Sequence, residues 1–112
     1  MQPPEFPAFV RGLPEVDLPV DGLRGWLLRG ESGALLFLEA EEDVYMPLHS
    51  HCDQWGFVVD GSIELTIGDD TRTYTRGDSY TILADTMHGG QIHAGFRAVD
   101  FFTDPDRYQP RG

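Results

Sequence analysis

The chain has 112 residues, which is enough for one compact domain and too few for two. Its 19 Asp and Glu residues against 8 Arg residues give a net charge of −11, which argues against nucleic-acid and membrane-surface partners because both carry negative charge. Hydrophobic residues make up 40% of the chain, so it can build a core, and the absence of Lys excludes Schiff-base chemistry.

Cysteine usage and the N-terminal composition predict the compartment. Cys52 is the only cysteine, so no intrachain disulfide can form. The first 20 residues contain five prolines together with acidic side chains, unlike the basic and apolar start of a signal peptide. The longest apolar run, residues 34–38, is far shorter than a membrane span. We expect a cytoplasmic protein with no membrane partner.

The pattern along the chain predicts one domain with two flanking segments. We expect residues 1–24 to form an extended, proline-rich segment that packs on a barrel or on a partner subunit, residues 25–104 to form that barrel, and residues 105–112 to form a tail. Between frequent Gly and Pro residues lie short runs of alternating polarity or of β-branched and aromatic residues. The strands predicted from these runs are residues 25–28, 34–39, 44–51, 55–59, 63–67, 71–75, 79–83 and 92–102.

One β-hairpin can be assigned in the middle of the chain. Ile63, Leu65 and Ile67 alternate with polar residues, as in a half-buried strand. The turn residues Gly68, Asp69 and Asp70 follow, and the run 71–75 supplies the second strand. Many short strands in one small domain predict an all-β sandwich or barrel.

Two histidines form the first candidate site. In His49-Ser50-His51 the spacing places both imidazoles on the same face of a strand, roughly 6.6 Å apart along it. Two rings at that separation can converge on one metal ion. Gln54 follows three residues later. Two solvated histidines at a barrel rim remain the alternative interpretation of so short a pattern.

A second segment makes the pattern more specific. The run from His49 through Gln54 to Gly61 resembles the first motif of the cupin superfamily, and residues 77–88, which end at His88, resemble the second. The resemblance covers residues 25–108 and implies a double-stranded β-helix, the cupin jelly roll. It also implies one divalent metal ion held by His49, His51, Gln54 and His88. Gln54 stands where Glu is usual, and its interval from the second His is one residue shorter.

The four predicted metal ligands are uncharged, and this indicates which type of reaction the metal would catalyse. Three imidazoles and an amide leave the full 2+ charge on the ion, which favours Lewis-acid chemistry on carbonyl or anionic oxygens. We therefore expect a metal-dependent isomerase, lyase or cyclase that acts on a small polar carbonyl compound or sugar acid. Zn, Ni, Mn, Fe and Co all suit these ligands. The alternatives are a non-catalytic module that senses a small ligand or metal, and a three-His dioxygenase.

Asp100 and Tyr45 are the catalytic candidates. Asp100 is the one charge on the inward face predicted for strand 92–102, so it is either a general acid/base with a raised pKa or a structural hydrogen-bond partner. Its surroundings, including Arg107, are similar to the C-terminal Asp-x-Phe…Arg of cupins that linearise unsaturated galacturonate. Tyr45 shares strand parity with His49 unless the bend at Pro47 breaks the register. The same parity argument turns His93 to solvent and leaves Cys52, next to His51, outside the ligand sphere.

A last expectation concerns oligomeric state. The two motif strands present apolar side chains on the faces opposite the ligands. If these strands are hairpin neighbours, their side chains form one contiguous patch that needs a cover. We expect a homodimer with Trp55 near its centre. The six side chains of the patch are Val44, Met46, Leu48, Trp55, Phe57 and Val59.

Overall fold

The computed structural model describes residues 5–110 and confirms the all-β jelly-roll barrel. In this range the one α-helix has four residues, and no helix is long and apolar enough to cross a membrane. The elements, in chain order, are α1 Ala8–Arg11, β1 Leu23–Arg29, β2 Ala34–Ala40, β3 Val44–His49, β4 Gln54–Asp60, β5 Ser62–Ile67, β6 Asp70–Thr75, β7 Ser79–Ile82, β8 His88–Ile92 and β9 Arg97–Phe102.

The strands form two antiparallel sheets. One sheet has five strands in the order β1-β2-β9-β4-β7, and the other has four in the order β3-β8-β5-β6. The predicted hairpin of β5 and β6 is confirmed: Ile67 pairs with Asp70 across a two-residue turn. Gly68 in that turn has φ of 59°, a left-handed conformation that glycine adopts without steric cost.

Every second side chain along these strands points into the space between the sheets and fills it. Ile63 and Leu65 are buried whereas Glu64 between them is exposed, as the sequence pattern predicts. On the facing sheet, Leu36 and Leu38 alternate in the same way toward the interior. Burial of these aliphatic side chains is the main favourable term in the stability of a small all-β domain.

The predicted strand 92–102 is wrong, because it is two strands joined by a turn. β8 ends at Ile92 in the four-stranded sheet, and β9 begins at Arg97 in the five-stranded sheet. The Phe96 amide donates to the His93 carbonyl, and Gly95 has φ of 92°. His93 is exposed in this turn, as predicted, and the alternation resumes in β9. Ala98, Asp100 and Phe102 therefore face inward.

The expectation that β3 and β4 are hairpin neighbours is also wrong. β3 pairs with β8 in one sheet, and β4 pairs with β7 and β9 in the other. Val44 is 6% exposed and belongs to the core. The six apolar side chains of the two strands therefore do not form one patch, since the loop between the strands crosses from one sheet to the other.

Residues 6–11 of the N-terminal segment pack on the outer face of the five-stranded sheet, whereas residues 17–20 line the cavity. Val16 is 1% exposed and pairs with Pro110, which ties the two ends of the described chain together. The Phe6 ring lies edge-on to Phe37, with ring centroids 5.5 Å apart. The Arg11 guanidinium lies 5.1 Å from the centroid of the Trp26 ring. Aromatic and cation–π contacts thus attach this segment to β1 and β2.

Glu39 on β2 is a buried carboxylate beneath this segment. It is 1% exposed, it accepts a hydrogen bond from the Phe6 amide at 3.1 Å, and its oxygens lie 3.6 Å from Arg11 and 3.9 Å from Arg97. Buried charges persist in proteins when they are paired in this way. Glu39 therefore links the N-terminal segment to β9.

We predict that Glu39→Gln lowers the free energy of unfolding by about 3 kcal/mol, because it leaves the buried Arg97 guanidinium without a counter-charge. Urea denaturation followed by circular dichroism measures the change. Glu31→Gln is the control, since Glu31 is exposed in a turn. Equal midpoints for the two variants would show that Glu39 does not stabilise the fold.

Candidate metal centre

Three histidines meet at the open end of the barrel. His49 ends β3 and pairs with His88, which begins β8, while His51 lies in the loop after β3. One ring nitrogen from each lies within 4.8 Å of the others. The register shift between Met46 and His49 turns the His49 ring toward this cluster. The predicted convergence of the three histidines is therefore present.

Hydrogen bonds fix the orientation of every ring. The Nδ1 atoms of the three histidines each lie 2.9 Å from a backbone carbonyl oxygen. A carbonyl oxygen only accepts, so Nδ1 carries the proton and Nε2 keeps a free lone pair in the neutral ring. The carbonyls belong to Pro47 for His49, Cys52 for His51 and Thr86 for His88.

Two of the remaining nitrogens are close enough to share one metal ion. Nε2 of His51 lies 3.1 Å from Nε2 of His88. In these tautomers neither atom is a donor, and a metal cation between them would accept both lone pairs. Two nitrogens at this separation, each about 2.05 Å from an ion, subtend about 100°, between octahedral and tetrahedral angles. This three-His group could hold a divalent metal ion.

The electrostatics favour neutral rings. Burial lowers the pKa of His51, the nearby charge of Arg107 acts in the same direction, and the pKa is about 4 as a result. Burial also lowers the pKa of His88. Both effects keep the imidazoles in the deprotonated state that binds metals.

Gln54, Tyr80 and Asp100 form a hydrogen-bond network in the same cavity. Asp100 Oδ1 accepts from Gln54 Nε2 at 3.1 Å and from the Tyr80 hydroxyl at 2.8 Å. Asp100 is 3% exposed. Burial raises the pKa of its carboxyl to about 6, although the two hydrogen bonds act in the opposite direction. Because the Gln54 nitrogen is engaged with Asp100, its amide oxygen stays available for another partner, and its role as a metal ligand stays a prediction.

Gly56 makes this network sterically feasible. It pairs with Tyr80 on β7 and with Asp100 on β9. A Cβ atom at Gly56 would collide with the Tyr80 ring and with the Asp100 carboxylate. Glycine in a strand interior commonly marks such a close approach.

Tyr45 and Cys52 lie outside the cluster of three histidines. Tyr45 is 65% exposed, because the register shift after Met46 breaks its parity with His49 and leaves it on the outer face of the sheet. The structure therefore does not bring Tyr45 into the cavity. Cys52 is half-buried, and its Sγ lies 3.9 Å from His51 Nδ1, the nitrogen that faces away from the cluster.

Sequence reasoning missed Tyr80 and Tyr108 and noted Arg107 only as part of the C-terminal resemblance. Tyr80 has inward parity on the predicted strand 79–83, and that signal could have identified it. Arg107 lines the cavity, and its buried Nε has no hydrogen-bond partner in the described part of the chain. Its guanidinium lies 4.5 Å from the centroid of the Tyr108 ring. No local pattern indicated that the C-terminal segment would fold back over the site.

The cavity has a volume of about 680 Å³, within the range of small-molecule sites. Comparison with protein families agrees with the geometry: the family model for the cupin domain matches residues 35–101. The chain belongs to the cupin family. Both sequence motifs and all three histidines of the cluster lie inside the matched range.

Solved cupin structures share the fold at low sequence identity. A cupin described as RmlC-like from Shewanella frigidimarina is 23% identical with a TM-score of 0.77, and the alignment covers 96% of each chain. KdgF from Halomonas sp. is 20% identical with a TM-score of 0.70, covering 81% of this chain and 87% of that one. Bacillus subtilis oxalate decarboxylase, described with Mn(II) centres, is 15% identical with a TM-score of 0.74, covering 90% of this chain but 31% of its own. No curated protein sequence gave a significant match.

We predict that His51→Ala and His88→Ala each reduce the bound metal from about one ion per chain to near background, because each removes one of three convergent nitrogens. Elemental analysis of untagged protein measures the stoichiometry. His93→Ala is the matched control, since His93 is exposed in the turn after β8. Unchanged metal content in both cluster variants would contradict the site.

Proposed function

We propose that this cupin is a metal-dependent enzyme that isomerises, cleaves or cyclises a small carbonyl-containing compound or sugar acid. The observation that carries the proposal is the buried Asp100 carboxyl, which shares one cavity with the three-His cluster. A buried carboxyl of raised pKa beside a metal site is a typical arrangement for general acid/base catalysis.

The cluster and Gln54 would hold one divalent ion, with Zn, Ni, Mn, Fe and Co as the candidates. Such an ion supplies Lewis-acid polarisation of a substrate oxygen. His49, His51, His88 and Gln54 contribute no charge of their own in the neutral state. The positive charge at the site is therefore not cancelled by its ligands.

Asp100 is the residue that moves protons in this proposal. Its pKa of about 6 lets the carboxyl accept a proton from a carbon next to the carbonyl and return it elsewhere on the substrate. The Tyr80 hydroxyl and the Gln54 amide donate to Oδ1 and hold the carboxylate in place. Arg107 adds a fixed cation at the cavity wall, suited to a substrate carboxylate.

We predict that Asp100→Asn slows proton exchange into substrate by at least about a hundredfold while leaving the metal content unchanged, because Asn keeps the acceptor oxygen but cannot take the proton. Metal-loaded protein is incubated in D₂O with a panel of uronic acids and 2-oxo acids, and proton NMR follows loss of C–H signals. Asp69→Asn, in the exposed turn after β5, is the control.

Equal exchange rates in Asp100→Asn and in the wild type would contradict the role of Asp100. Ligand binding by the metal-loaded wild type without exchange of any compound in the panel would favour a non-catalytic binding module instead.

The homodimer is proposed on a corrected surface, the outer face of the five-stranded sheet. Trp55 and Phe57 remain 43% and 38% exposed on β4, with stacked rings 6.2 Å apart. Trp55 pairs with Phe101, which in turn pairs with Leu35, so an apolar row crosses three strands. An uncharged aromatic surface on a chain of net charge −11 suits a second copy of the same surface, related by a two-fold axis.

Light scattering coupled to size exclusion should give about twice 12.6 kDa for the wild type. Trp55→Asp should shift the mass toward one chain, because it places a charge at the centre of the apolar contact. Circular dichroism checks that this variant is folded, and Tyr45→Ser on the other sheet serves as the control. A wild-type mass of one chain at micromolar concentration would refute the dimer.

A further inference from the structure

The polar groups of the cavity are concentrated at one end. His49, His88 and Gln54 stand at strand ends on one side of the barrel, and Asp100 and Tyr80 stand two residues further in, level with Leu36. The pairing of β5 with β8 shows how far the cavity continues below them. Ile67 pairs with His88 at the metal centre, and Ile63 pairs with Ile92 four residues further along. At about 3.3 Å per residue, Ile63 and Ile92, which line the same cavity, lie roughly 13 Å along the sheet from His88.

The deep part of the cavity is apolar. Its walls come from both sheets and from the turn between β8 and β9, and the side chains are buried and carry no hydrogen-bonding group. They are Leu38, Ile63, Leu65, Ile92 and Phe96.

We infer that the substrate is an amphipathic oxo acid, whose polar head binds at the metal centre and whose apolar body occupies the deep part of the cavity. This inference rests on the proposed function and chooses between its two substrate classes. A sugar acid carries hydroxyls on most of its carbons, and each hydroxyl buried without a partner loses about tenfold or more in affinity. The aliphatic walls instead favour a hydrocarbon chain or ring.

The residues near the three histidines determine which polar head group a substrate can carry. The three Nε2 atoms could hold a cation, which would bind carbonyl or carboxylate oxygens of the substrate. The buried Nε of Arg107, which lacks a partner among the described residues, is a further donor for an anionic oxygen. A carboxylate with a neighbouring carbonyl can bind both the cation and Arg107. The hydrocarbon part of the same molecule can pack against the apolar walls below.

The test is a chain-length series. Isothermal titration of Zn-loaded protein with 2-oxobutanoate, 2-oxohexanoate and 2-oxooctanoate should show Kd falling about fourfold per methylene, as burial of a CH₂ group predicts. From the shortest to the longest acid this amounts to more than about a hundredfold. D-Galacturonate is titrated in parallel. A Kd that does not change with chain length, or galacturonate binding tighter than 2-oxooctanoate, would overturn the inference.

A cavity variant locates the binding site of the apolar body. Leu65→Phe fills the middle of the cavity and should abolish the chain-length dependence of Kd. Glu64→Gln, on the exposed face of the same strand, is the matched control. If Leu65→Phe does not fold, the wild-type series still decides. Chain-length dependence that survives unchanged in a folded Leu65→Phe would place the apolar body elsewhere and contradict the inference.

The same series on metal-free protein separates this inference from the proposed function. If the protein binds no metal, the proposed function is refuted. A Kd that still falls steeply with chain length in metal-free protein would nevertheless support an apolar ligand site. Normal metal binding with a flat series leaves the proposed function in place and removes the amphipathic substrate.

Discussion

The orientation of three imidazole rings is the constraint on which the site depends. Each Nδ1 is held 2.9 Å from a backbone carbonyl within two residues of its own histidine, so each ring is oriented by the local chain rather than by a distant partner. The consequence is that three lone pairs converge with no proton between them. A metal cation would accept these lone pairs, and burial lowers the pKa of the His51 and His88 rings. Backbone geometry and desolvation thus form a three-His group that could hold a metal ion.

The two sheets contribute different halves of the proposed chemistry. His49 and His88 stand on adjacent strands of the four-stranded sheet. Gln54, Tyr80 and Asp100 stand on three adjacent strands of the five-stranded sheet and are joined by hydrogen bonds. Because Gly56 has no side chain, these strands bring a tyrosine ring and a carboxylate into contact across β4. Both sets of residues line one cavity, and Gln54 is hydrogen-bonded to Asp100 within it.

Local alternation predicted most of the strands and the inward face of Asp100. It also predicted His49 and His51 on one strand face, whereas β3 ends at His49 and His51 lies in the loop that follows. The errors arose where geometry is set by contacts distant in sequence. The alternation of residues 92–102 runs through a turn, and no local signal marks the change of sheet. Likewise, the register shift that excludes Tyr45 results from pairing with β8. Arg107 and Tyr108 reach the cavity because the C-terminal segment folds back, with Pro110 pairing to Val16, which only the tertiary structure defines.

X-ray absorption at the zinc edge of the Zn-loaded wild-type protein tests the central claim most directly. Convergence of the three Nε2 atoms predicts a first shell of nitrogen and oxygen at about 2.0–2.1 Å. It also predicts outer-shell scattering from three imidazole rings. A first shell containing sulfur at about 2.3 Å would make Cys52 a ligand. Such a shell, or one without imidazole scattering, would contradict the account.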